Sequence, residues 1–122
     1  MSAPATHIPR FLGSELPERA PDAARFHILP VPYEKTVSYG AGTAKGPAAI
    51  IAASSQLERW DGASDPGADG IYTWPAIDCS GPAAEVIDAI AAAVAKILAL
   101  GKTPVVLGGE HTVTGEIGRA HV

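Results

Sequence analysis

Residues 103–107, Thr-Pro-Val-Val-Leu, are apolar after the first position and are stopped by Gly108 and Gly109. A run of this kind fits a strand buried on both faces, which means a strand inside a parallel sheet with helices packed on either side. The segment before it supplies such a helix. Val86, Ile90, Val94 and Ile97 recur at spacings of three and four along an alanine-rich stretch, and Gly101 stands where a left-handed residue would cap its end.

Earlier segments repeat the pattern. RFHILPV, residues 25–31, reads as a short buried strand closed by Pro30 and Pro32. Pro47 opens a helix in which Ile50, Ala53, Leu57 and Trp60 form one apolar face, ended by the turn-forming residues 61–70. IYTWPAI, residues 71–77, has the β-branched and aromatic content of a strand, with Pro75 arguing for an edge position. Strands alternating with helices imply an α/β fold with a mainly parallel sheet. Three strands can hardly cover both edges of Val105–Leu107, so the chain is expected to be the first part of a larger sheet.

At 122 residues one domain is expected. Residues 1–24, punctuated by Pro4, Pro9, Pro17 and Pro21, read as a surface segment, and 25–122 as the α/β domain, incomplete. The 13 acidic residues outnumber the 9 basic ones, which are scattered, so a nucleic-acid partner is not expected. The apolar stretch from Val86 to Leu100 is interrupted by Asp88 and Lys96 and is shorter than the roughly 20 residues a bilayer requires. The N-terminus has no secretory pattern, and Cys79, the single cysteine, reads as structural. A cytoplasmic protein with no membrane partner is therefore expected.

In open parallel sheets ligands gather beyond the carboxyl ends of the strands. Two segments qualify: the glycine-rich 32–46 and Gly108–Thr114. An imidazole at His111 suits a borderline metal or proton transfer. Spacing alone leaves open the alternative that Glu110 or Thr112 caps a helix and His111 merely packs or faces solvent. Tyr33, Glu34 and Lys35 read as structural or solvated, and Ser38 and Tyr39 as loop packing or the pocket mouth. Trp60 and Trp74 read as packing anchors; His7 and His27 carry no motif.

The segment LGGEHTVT, residues 107–114, resembles the Gly-Gly-acid-His-(Ser/Thr) motif of the ureohydrolases, the arginase and agmatinase family. VPYEKTVSYGAGTAKGPAAIIAAS, residues 31–54, is similar to the segment that follows the family's first strand, especially in agmatinase-like members, and the intervening order matches from about residue 25 to 120. The resemblance implies a three-layer α/β/α arginase-type fold, a homo-oligomer, and hydrolysis of a guanidino group, with agmatine going to putrescine and urea. It also implies a pair of manganese (Mn2+) ions, His111 being a ligand to one of them. Glu110 could then orient His111, or serve as the acid of a helix's first turn. A guanidinium carbon is a poor electrophile and water a poor nucleophile, and two cations sharing a water lower its pKa enough to present hydroxide near neutral pH.

The family's later Asp-Ala-His-x-Asp and Asp-x-Asp stretches, which supply the other ligands, do not occur in these 122 residues, and His121 matches no ligand position. No catalytic or further cofactor-binding residue is assigned, and the chain alone is expected to be inactive. The alternatives are a ureohydrolase acting on arginine, guanidinobutyrate or formiminoglutamate, and a non-catalytic truncated module that binds or assembles through its open sheet edge.

Overall fold

The computed structural model describes residues 10–13, 16–34 and 42–109. Its regular elements are β1 (Phe26–Val31), α1 (Gly46–Ala53), β2 (Ile71–Thr73), α2 (Ala83–Ala99) and β3 (Thr103–Gly108). The three strands form one parallel sheet in the order β2-β1-β3. From β1 the chain moves to one neighbour through α1, and from β2 it returns past β1 through α2. Right-handed crossovers in opposite directions put the two helices on opposite faces.

The residues of β1 show that separation. Leu29 and Val31 are buried with Val86, Ile90, Ala93 and Val94 of α2. Pro30 lies on the other face, where with Pro47, Ala48 and Ile51 of α1 it lines an apolar groove of about 240 Å³. The expected α2 face, Val86, Ile90, Val94 and Ile97, is buried in full. Its end is a Schellman cap: Gly101 has φ +75°, its N–H reaches the Leu98 carbonyl, and the Lys102 N–H reaches that of Ile97.

The helix after Pro47 departs from expectation. It ends at Ala53 in a single 3-10 turn, and its buried positions are Pro47, Ile51 and Ser54. Ile50 and Leu57 are exposed and Trp60 is 59% exposed, so Trp60 is not a packing anchor. The cause is local. Ser54 and Ser55 hydroxyls donate back to the carbonyls of Ile51 and Ala52, which offers the backbone an alternative to further helix.

Ser54 also accepts the Leu12 N–H at 2.9 Å, and Thr73 accepts that of Phe11 at 2.9 Å. Two buried hydroxyls thus fasten residues 11 and 12 to the α1 face, where Leu12 and Leu16 are buried.

β2 ends at Thr73, short of the expected residues 71–77. Pairing nevertheless continues across Pro75, through Trp74 N–H to Ile28 and Ile77 N–H to Pro30. β3 lies at the edge of the described sheet, with one side unpaired there, as the expectation of a larger sheet requires. Val106 packs against the α2 core, while Val105 is 36% exposed.

His27 is fully buried between these layers. The Trp74 indole N–H can only donate, so Nδ1 of His27 accepts it at 3.0 Å, and the ring proton then sits on Nε2, 2.8 Å from the Pro21 carbonyl oxygen. Tyr72 lies beside the imidazole with ring centroids 5.3 Å apart, and the Lys96 ammonium covers the Trp74 ring at 5.7 Å. Trp74→Phe leaves Nδ1 buried without a donor, and the expected cost is about 1–3 kcal/mol. Equilibrium urea unfolding checks this, and an unchanged midpoint would show that Nδ1 does not depend on Trp74.

Candidate functional site

β1 and β3 are adjacent and parallel, paired from Phe26 with Thr103 to Val31 with Gly108. Their carboxyl ends therefore emerge side by side, and the two segments singled out in the sequence leave the sheet at one place. What happens in the next few residues decides how close they come.

Val31 has the central position. Its carbonyl oxygen accepts the N–H of Tyr33 at 2.8 Å, which turns the chain sharply after β1, and the N–H of Gly109 at 3.0 Å. Tyr33 is 2% exposed, its side chain held in the α2 core with Leu29 and Val31. A Cβ built on Gly109 would overlap the carbonyl oxygen of Tyr33. Glycine at 109 is thus a steric requirement imposed by the backbone of the other segment.

The return of the glycine-rich segment is fixed by Glu34. Its Oε1 accepts the N–H of Gly42 at 2.9 Å, the N–H of Ala44 at 2.8 Å and the Thr43 hydroxyl at 3.1 Å. These donors begin the 3-10 turn Thr43–Lys45 that runs into α1. Gly42, with φ +124°, holds the N-cap position and has no side chain to cap the turn itself. Glu34 supplies the missing acceptor across the loop. The turn then places Gly46 so that a Cβ on it would stand 3.6 Å from the Gly108 carbonyl oxygen.

Of the residues noted in the sequence, Tyr33 and Glu34 are therefore structural, at the strand ends. His27 and Trp74 belong to the sheet interior described above, and Cys79 packs against the α2 core with its thiol 3.4 Å from the Ile77 carbonyl oxygen. His111, Glu110 and His121 lie outside the described residues, as do His7, Lys35, Ser38, Tyr39 and Thr112. Among the described residues no three His, Cys, Asp or Glu side chains gather as a metal ion would need. The sequence reading missed the meeting of Tyr33 with Gly109 and the capping by Glu34. The one available signal was Gly42, a residue unable to cap the helix start that follows it.

Electrostatics follow from the donors. The N–H of Ala44, then that of Gly42, hold the Glu34 carboxyl below its ordinary value of 4.5, with the Thr43 hydroxyl and Lys45 adding to the effect and desolvation opposing it. Turn bonds likewise lower Asp61, chiefly through the Ala63 N–H, and Asp78, chiefly through the Ser80 hydroxyl, from 3.8.

Residues 24–122 match the Arginase family. The chain is 39% identical over 123 residues to the N(1)-aminopropylagmatine ureohydrolase of Synechocystis sp., covering 91% of this chain and 39% of that protein. It is 36% identical to the enzyme of the same name from Thermus thermophilus, covering 82% and 35%, and 33% identical to the agmatinase of Proteus mirabilis, covering 77% and 33%. The agmatine ureohydrolase of Thermoplasma volcanium superposes with a TM-score of 0.83 at 26% identity, over 93% of this chain and 39% of that one. This chain thus spans about two fifths of the length of the first of these relatives.

Two outcomes check the geometry. Gly109→Ala is expected to lower stability by about 1–3 kcal/mol through forced backbone displacement, whereas Gly81→Ala, where an added Cβ meets only ordinary contact, is expected to be near neutral. Equal midpoints for the two in urea unfolding would refute the Tyr33 contact. The Glu34 pKa is lower folded than unfolded, so its contribution to stability is full above about 4.5 and is lost as pH falls below that value through the folded one. Glu34→Gln removes this part of the acid limb, leaving the part due to Asp61 and Asp78; a pH–stability curve that does not change between the two proteins would contradict the assignment.

Proposed function

Because the chain belongs to the arginase family, we propose that it is the N-terminal part of a manganese-dependent ureohydrolase, hydrolysing a guanidino group to urea and an amine. The observation that supports this reading is the pairing of β1 with β3, which brings residues 32–34 and 108–109, the beginnings of the two segments, to one end of the sheet. That end is where ligands bind in folds of this class.

The substrate proposed is of the agmatine type. The names of the relatives have agmatine in common, free in two cases and carrying an aminopropyl group in the other two. Free agmatine, yielding putrescine, is the form favoured here on the character of the glycine-rich segment.

In this reading His111 holds one metal ion, and the bound pair supplies a water acidic enough to react as hydroxide near neutral pH. The described residues contribute placement. Val31 and Tyr33 fix where Gly109 leaves β3, and the chain reaches His111 two residues later. A histidine becomes a useful ligand when its backbone is set before the metal arrives, because the ordering cost is then already met in folding.

The family's remaining ligand stretches are not in these 122 residues, so this chain by itself is expected to release no urea from agmatine. Release above that of a His111→Ala control purified in parallel would overturn that expectation. His111→Ala is expected to weaken Mn2+ binding by roughly tenfold or more, followed by electron paramagnetic resonance of free Mn2+. Equal binding by the two chains would remove His111 from the metal site.

A further inference from the structure

We infer that Glu34 is a positioning residue for the Gly108–Gly109 turn, and through it for His111. The part concerning His111 rests on the ureohydrolase reading; the part concerning the turn does not.

The contacts form a closed circuit. Glu34 draws in Gly42, Thr43 and Ala44. The 3-10 turn they begin leads into Gly46, where an added Cβ would come into ordinary contact, at 3.6 Å, with the Gly108 carbonyl oxygen. Gly109 lies on the Tyr33 backbone and donates to Val31. Tyr33 is covalently next to Glu34, which returns the circuit to its start.

Each link on the Tyr33 side is anchored in the α2 core, since Tyr33 and Val31 are buried there. On the other side the turn is approached by Gly46, and the described side-chain acceptor that sets the turn leading to Gly46 is the Glu34 carboxylate. A Ser, Thr or Asp at the N-cap would have made that start independent of β1. With glycine there, the start of α1 depends on an acid attached to the end of β1. The Gly108–Gly109 turn therefore has one neighbour fixed by burial, Tyr33, and another, Gly46, at the end of a turn that Glu34 holds.

The carboxylate is committed to these donors, which separates its role from acid–base work. Removing it leaves two N–H groups at the head of the turn without their acceptor and frees Gly46 to move away from Gly108. The core stays in place, because none of its side chains touches this acid in the described contacts. A local opening without global unfolding is the expected signature.

The test is residue-resolved hydrogen exchange on the 122-residue chain as it stands, with Glu34→Ala and Glu34→Gln beside it. In Glu34→Ala the amides of Gly42, Ala44 and Gly109 are expected to exchange about tenfold faster or more, while those of Leu29 and Ile90 keep their rates. Glu34→Gln, which keeps an acceptor oxygen, is expected to restore Gly109 in part. Faster exchange at Gly42 and Ala44 with Gly109 unchanged would overturn the inference, because Glu34 would then cap its own turn and nothing more. If Glu34→Ala unfolds, Glu34→Gln decides alone: core amides that accelerate as much as Gly109 would also overturn it.

Titration with Mn2+ separates the two readings. Weaker Mn2+ binding in Glu34→Ala, with Glu34→Gln intermediate, is expected if the turn places His111. Failure of the unaltered chain to bind Mn2+ would count against the ureohydrolase reading and leave the Gly109 exchange rate to decide the role of Glu34.

Discussion

Pairing of β1 on both edges and coverage of both its faces is the constraint on which the other elements depend. Its backbone bonds place β2 and β3, its odd-numbered residues place α2, and its even-numbered ones face α1. A central parallel strand admits little variation, since shifting the register by one residue would exchange Leu29 and Val31 for Pro30 on the α2 face. Pro30 itself is tolerated because it lies where β2 has already given way to the irregular pairing around Pro75.

The sequence showed most clearly those elements whose local pattern and tertiary environment agree. In α2 the large residues occur on one side and alanine nearly everywhere else, so periodicity alone located the buried face and glycine its end. In α1 the residues Ala-Ala-Ile-Ile-Ala-Ala are apolar in every direction, and a 3.6-residue period then carries no information about which side is covered. Extending that ambiguous period through Ser54 to Trp60 gave a helix that the serine back-bonds do not allow. The edge position of β2 in the described sheet was legible from Pro75. The partial exposure of β3 follows from its place at the edge of the described sheet, and its apolar run is the pattern of a strand with more of the sheet beyond it.

The site was legible in a different way. The Gly-Gly-Glu-His segment stood out as a motif and led to His111. The contacts that govern that segment join Tyr33 to Gly109 and Glu34 to Gly42, Thr43 and Ala44, and neither pair leaves a periodic trace. Long-range backbone contact of this type is invisible in one sequence because a glycine needed for close approach and a glycine needed for a turn are the same letter. His27 shows the converse case. Nothing in the sequence distinguished it, yet its ring orientation is fully determined by Trp74 on one side and Pro21 on the other.

The overlap of any Gly109 side chain with the Tyr33 carbonyl changes what the paired glycines signify. They are usually met as part of a chemical signature, next to the histidine that would bind metal. Here the second glycine answers to the packing of one backbone on another, and that demand would persist in a descendant that had lost every metal ligand. Such a descendant would still display a glycine directly after its third strand. The second glycine therefore certifies architecture, and any inference about turnover has to be drawn from the residues that follow it.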